Sequence, residues 1–337
     1  MTVRAPAARP AVLIASAGVP ALRLMLEPQQ GGTYDEFLSL ALAAEAAGFD
    51  GVFRSDHLAT IGGGPQRDAL EAWTTLAALA RDTSRLRLGS LVSPVTFRHP
   101  AVLARCAVTV DQISRGRCEL GMGAGWFELE HRTLGIPFPG IGERFTRFAE
   151  AVAVVAALVG SPDPQTLPGV HYALSEAIAL PPPVQRPLPL IIGGHGGRGS
   201  VRLAARHAHE YNTLVRTPDE VAGVGLALRE ACDDAQRDPA TLLLSWMGPC
   251  VVGATQADLH RRAAVHAAAM GDSNPDGRAA AAALATRGIV GLYDEAAERL
   301  RALIDAGCER LYLQVLTLDD PEMLLEIADD VAPRAGL

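Results

Sequence analysis

One pattern constrains this chain more than any other: a helix-period segment, a glycine stop and a short aliphatic or β-branched run recur along almost its whole length. Short apolar runs fall at residues 22–26, 51–54, 86–92, 118–122, 188–192, 211–215, 242–252 and 311–315. Thr33 and Glu36 have capping-box spacing ahead of Phe37, Leu40, Ala41 and Ala44, and Gly48 stops that helix. Further helices are predicted over 70–80, from Pro100 to about 108, and over 143–159, 200–208, 218–234, 296–305 and 321–331. Eight strands alternating with helices close into a barrel, whereas an open doubly wound sheet more often stops at about five to seven. The predicted fold is therefore α/β, a (β/α)8 TIM barrel.

The 337 residues are read as one barrel domain over 22–337 with an extension at 1–21. Two insertions interrupt the pattern. The first, near 161–189, is proline-rich and holds a strand-like run at 170–174; the second, near 270–291, is alanine-rich with little periodicity over 270–285. Arg4 and Arg9 ahead of the apolar run 11–19 loosely resemble a signal peptide, but Ser16, Gly18 and Pro20 interrupt it. A cytoplasmic protein is expected, and no apolar run reaches the roughly 20 residues of a membrane span.

Composition removes whole chemistries. All 30 basic side chains are arginine, so there is no Schiff-base lysine, no lysine base and no phosphate-loop lysine. The net charge of −8 offers no basic face to a nucleic acid. Five dispersed cysteines without a CxxC pair imply neither a disulfide framework nor a zinc site. His131, His171, His260 and His266 have no partner at ligand spacing and the His207/His209 pair lacks a third ligand, so no metal is expected.

In a barrel of this kind chemistry sits on the loops after the strands' C-terminal ends. The first such loop carries Glu27, Gln29 and Gln30, and the second carries Asp56 beside His57. A carboxylate next to an imidazole can orient it, bind a polar ring edge or help move a proton. The fourth strand ends in Gly121, Gly123 and Gly125, glycines that let a ligand approach the backbone, followed by Trp126, which suits core and stacking surface equally. After the fifth strand come Gly193, Gly194, His195, Gly196, Gly197, Arg198 and Gly199, then Ser200 at a helix start. Backbone amides there form an anion site suited to a phosphate. Gly194, Gly196 and Gly199 also match a dinucleotide fingerprint, but four αβ units precede them and no acidic residue ends a strand about 20 positions later.

Taken in order, EPQQG, SDH, LGSLVSPVTFRHPAVLA, GMGAGWFELEHRTLGIPF, IIGGHGGRGSVRLAARHAHEYN and the closing RLYLQVL resemble the luciferase-like oxidoreductase superfamily, within it the branch using the deazaflavin coenzyme F420. The resemblance runs from about residue 22 to 333. It implies a barrel holding a reduced flavin or deazaflavin at its mouth, with the cofactor phosphate on the glycine loop at Gly196, Gly197, Gly199 and Ser200. It further implies that Asp56 contacts the ring, that Leu91 and Val92 form a non-prolyl cis-peptide bulge behind it, and that His57 is the proton donor or acceptor. Gly123, Gly125, Gly194, His195 and Arg198 complete the expected cofactor contacts. The branch that oxidises sugar phosphates has a tryptophan four positions after its Asp-His and a glutamate just after the strand-four glycines; here Ile61 and Trp126 stand there. The expectation is an F420-dependent oxidoreductase acting on a small organic molecule, with FMN and oxygen as the alternative and a non-catalytic flavin-holding barrel as a third reading. A homodimer is expected by analogy alone.

Overall fold

Thr33 caps the first helix as its spacing predicts. Its hydroxyl accepts the Glu36 amide at 3.3 Å and the Glu36 carboxylate accepts the Thr33 amide at 2.6 Å, opening α1 (Tyr34–Ala46). In this computed structural model, residues 20–62, 66–215 and 217–337 are described. Most of the extension at 1–21, with its apolar run, lies outside the described residues.

Strands and helices then alternate. β1 (Ala21–Leu26) precedes α1, β2 (Gly51–Arg54) leads to α2 (Ala72–Asp82), β3 (Arg87–Pro94) to α3 (Pro100–Ser114), and β4 (Cys118–Gly123) to α4 (Glu128–Leu134) and α5 (Ile141–Gly160). A hairpin of β5 (Gln165–Leu167) and β6 (Leu174–Ala177) intervenes before β7 (Leu190–Gly194), α6 (Arg198–His207), β8 (Glu210–Thr213) and α7 (Pro218–Asp234). β9 (Leu243–Gly253) is followed by α8 (Gln256–Ala269), α9 (Gly277–Leu284), β10 (Ile289–Leu292), α10 (Tyr293–Asp305), β11 (Arg310–Val315) and α11 (Glu322–Glu326). Among the described residues, β1, β2, β3, β4, β7, β8, β9 and β11 pair in parallel and close on themselves, with β10 added to the far half of β9. The predicted (β/α)8 barrel is present, and each predicted strand overlaps an observed one. No described helix is long and apolar enough to cross a membrane.

Both insertions differ from expectation in detail. The run at 170–174 is not a strand: the amides of Val170, His171 and Tyr172 donate to the Glu150 carboxylate on α5 at 2.7–3.0 Å, and β6 starts only at Leu174. The second insertion is more regular than its composition suggests, with α9 inside it and α8 just before it. The inward face of α8 mixes Leu259 and Ala263 with Arg262 and His266, so a polar half hides its amphipathic period. Arg262 is tolerated inside because Asp320 and Glu326 pair with it at 2.6–3.2 Å. Leu259, Ala263, Ala281 and Leu284 pack with Val251 and Val290 into a small core of their own.

The barrel interior is layered. Its floor, at the N-terminal ends of the strands, is ionic: Arg23 donates to both Glu119 oxygens at 2.7 and 3.0 Å and to the Tyr312 hydroxyl at 2.8 Å, Arg87 also pairs with Glu119, and Arg310 pairs with Glu210. Burial alone would raise the Glu119 carboxyl, but Arg23, Arg87 and Arg310 together hold it well below the usual carboxylate range. Above this floor Met25, Phe53, Leu91, Ile191 and the Tyr312 ring form an apolar plug, with Val92 and Met247 partly exposed on its upper side. The mouth therefore opens over a barrel filled with side chains.

Candidate active site

The bulge in β3 builds the mouth's floor. Pairing with β4 slips between Ser90 and Ser93, and the Leu91–Val92 peptide within the slip is cis. Val92 then leans over the neighbouring strands, and glycine makes room for it: a Cβ would meet the Val92 side chain at 3.0 Å from Gly121, 2.6 Å from Gly123 and 3.1 Å from Gly193. The result is an aliphatic surface ringed by backbone, suited to the face of a flat ring. Gly125 serves the turn instead, since its φ of +80° is the left-handed conformation that favours glycine.

The same bulge aims Ser93 at Asp56, its hydroxyl donating at 2.6 Å while accepting from the Trp73 indole at 3.1 Å. Arg98 grips both Asp56 oxygens, at 2.6 and 3.2 Å, and also pairs with Glu71. Asp56 is thus buried with protein donors on both oxygens. A ring-edge contact by Asp56 would have to use the lone pairs that remain. The first loop is equally committed. Gln29 donates to Glu27 at 2.5 Å and accepts from Ser55 at 2.7 Å, while Gln314 donates to Glu27 at 2.8 Å.

His57 lies on the other side of this network. Its Nδ1 is 2.9 Å from the Glu130 carboxylate, and its ring stands edge-on to Trp126 and Phe127 at 5.7 and 5.9 Å. Trp126 is 63% exposed, which settles it as surface and not core. Two other histidines are engaged structurally: His131 bridges Thr96 and the Phe127 carbonyl, and His209 accepts the Leu190 amide. Among the described residues no group of three or more His, Cys, Asp or Glu side chains is placed to hold a metal.

The glycine loop leaves β7 and enters α6 with no side-chain cap and no acidic residue in its first turn. A helix start leaves its first amides without intrahelical partners, so those of Arg198, Gly199 and Ser200 face outward. Tyr211, on β8, props the loop from below: its hydroxyl accepts the Gly196 amide and shares a hydrogen bond with Ser200 Oγ, both at 2.9 Å. The Gly196 amide is therefore already engaged. A Cβ on Gly194 would lie 2.4 Å from the Tyr211 oxygen, and one on Gly199 would lie 2.6 Å from the Phe145 ring. His195 turns from this loop into a cavity of about 520 Å³, lined also by Leu214, Val215, Met247, Pro249, Arg287 and Gln314. That volume is within the usual range for small-molecule sites. It occupies the β7-to-β11 side of the mouth, across from His57 and Trp126 on the β2-to-β4 side.

Sequence reasoning missed Arg98, Glu130 and Tyr211. Each meets its partner far along the chain, and only Glu130 carried a local cue, as an acidic residue in the first turn of a helix that follows a barrel strand.

The sequence profile of the luciferase-like monooxygenases matches residues 19–326. The chain belongs to that family. Among its relatives, the F420-dependent glucose-6-phosphate dehydrogenase of Microbacterium testaceum (strain StLB037) is 37% identical over 53% of this chain and 52% of its own length. The pyrimidine monooxygenase RutA of Pseudomonas syringae pv. syringae (strain B728a) is 31% identical over 64% of this chain and 61% of its own. The alignments thus span only about half to three-fifths of these relatives. The solved structure of an F420-dependent secondary alcohol dehydrogenase in complex with an F420-acetone adduct superposes with a TM-score of 0.79 over 94% of this chain and 99% of that one, at 19% identity, and shows a shared fold.

Proposed function

We propose that this member of the luciferase-like family is an oxidoreductase that transfers hydride between coenzyme F420 and a small organic substrate at the barrel mouth. The glycine loop is the observation that carries the reading. It offers free amides at an uncapped helix start, at a point where a Cβ at Gly194 would collide with Tyr211. In a chain without lysine, a cofactor phosphate has to rely on such amides and on arginine. The residues fit the group: amides of Arg198, Gly199 and Ser200 for the phosphate and Val92 for the back of the ring, which leaves the His57 side of the mouth for the substrate. The 37%-identical dehydrogenase, named as F420-dependent, supports this choice of cofactor.

When bound, the deazaflavin supplies two-electron hydride chemistry, and the protein supplies position and protons. His57 gives or takes the proton, while Trp126 and Phe127 flank its ring and shield it from water on that side. On the His57 side, the aromatic rings of Trp126 and Phe127 suit a small organic molecule such as an imine, an enone or a dehydro side chain. Glucose 6-phosphate, named for the relative, fits less well, because Ile61 and Trp126 replace the tryptophan and glutamate of the sugar-phosphate branch and no lysine is present. The second reading, oxygenation by reduced FMN, is supported by the 31%-identical pyrimidine monooxygenase.

Turnover separates the two. With reduced F420 and a panel of enones and imines, cofactor oxidation matched one-to-one by product and without oxygen uptake is expected. Oxygen uptake that depends on reduced FMN, with F420 left untouched, would overturn the proposal.

A further inference from the structure

The environment of His57 specifies which of its two nitrogens is available, and the residue that does so is Glu130. Glu130 is 1% exposed and projects from the first turn of α4. Its two oxygens do different work. One lies 2.9 Å from His57 Nδ1, and the other accepts the backbone amide of Leu58, also at 2.9 Å. One carboxylate therefore fixes both the imidazole and the chain that carries it.

An ionised carboxylate has no proton to donate, so the nitrogen facing it must carry the hydrogen. In neutral His57 that leaves Nε2 with the free lone pair, and in the imidazolium it leaves Nε2–H as the proton to give. The edge-on rings of Trp126 and Phe127 restrict rotation of the imidazole about this hydrogen bond. Ring tautomer and orientation are then set by groups outside the reaction, as in metal sites and hydrolases where a carboxylate orients a histidine.

We propose that Glu130 is a positioning residue that holds His57 as the Nδ1–H tautomer, so that Nε2 is the nitrogen exchanging a proton with the substrate. The inference rests on the reading of His57 as proton carrier given above. In the reductive direction the hydride reaches the substrate carbon, the proton leaves Nε2 for the adjoining heteroatom or carbon, and solvent restores it. In the oxidative direction both transfers reverse.

The substitution Glu130→Gln tests this, because glutamine cannot replace both functions. Its single carbonyl oxygen can serve the Leu58 amide or His57 Nδ1–H but not both. If it stays on Leu58, its NH2 faces Nδ1 and favours the Nε2–H tautomer. Nitrogen NMR of histidine-labelled protein, without cofactor or substrate, is expected to show His57 as Nδ1–H in the wild type and to lose that state in the variant. With cofactor and substrate, kcat is expected to fall by about 10- to 100-fold, the loss typical of a group that orients a functional histidine and below the full effect of a general acid–base group, while cofactor Kd stays within about twofold. In a His57→Ala background the same substitution should have no further effect, since the two act as one unit. A wild-type His57 protonated on Nε2 in its neutral form would overturn the assignment. So would an equal loss of kcat in both backgrounds, the sign of a role limited to holding the loop. The Nδ1–H tautomer in a protein that moves no hydride would instead overturn the functional reading and leave the geometry of the pair intact.

Discussion

Replacing Gly194 with alanine is expected to weaken cofactor binding by about 30- to 100-fold while the barrel stays folded. The added methyl would sit 2.4 Å from the Tyr211 hydroxyl and 2.9 Å from Ser200 Oγ, so one of them must move. Tyr211 is buried between strands and holds the Gly196 amide and the Ser200 hydroxyl at once, so moving it disorganises the loop from below. Overpacking of this kind costs about 1–3 kcal/mol. At about 1.4 kcal/mol per tenfold, the upper part of that range gives the stated loss when the strain falls on the bound loop. The φ of Gly194 lies outside the left-handed region, so the effect comes from the collision and not from lost backbone freedom. Fluorescence titration of the variant checks it, and an unchanged Kd would remove the loop from the site.

The second large effect concerns the barrel floor. Glu119→Gln is expected to destabilise the protein by about 3–5 kcal/mol near pH 7, because it leaves Arg23, Arg87 and Arg310 without their shared counter-charge inside the barrel. The sign of the pH dependence follows from the depressed carboxyl. Its folded value lies well below the ordinary 4.5, so its contribution is complete above about pH 4.5 and is lost as pH falls further toward the folded value. Urea unfolding of both proteins from pH 7 downward should therefore show a gap that is constant to about pH 4.5 and then narrows. A gap below about 1 kcal/mol at pH 7 would mean the floor is replaceable by neutral hydrogen bonds.

The difference between these two regions also explains what could be read from the sequence. Most barrel strands were legible because a strand buried on both faces reads as an aliphatic run, as in β7 with Leu190, Ile191 and Ile192; β8, which reads Glu-Tyr-Asn-Thr, was placed by the alternation around it. The cap at Thr33 and Glu36 was legible because its partners are three residues apart. The glycine loop was legible because only glycine fits beside Tyr211 and Phe145. By contrast, His57 meets Glu130 across 73 residues, Asp56 meets Arg98 across 42, and Gly196 meets Tyr211 across 15. No local spacing encodes such pairs; the closed ring of strands creates them. Helix α8 escaped for another reason, since Arg262 and His266 occupy its buried face, where a periodic pattern would show apolar residues.

The proposed deazaflavin site at the barrel mouth, with its phosphate on the α6 amides, makes a direct prediction about binding. Titrating the purified protein separately with oxidised F420 and with FMN, and repeating both with Gly194→Ala, tests it most directly. Saturable micromolar binding of F420 that the alanine weakens strongly is expected. Micromolar binding of FMN with no binding of F420 would contradict it.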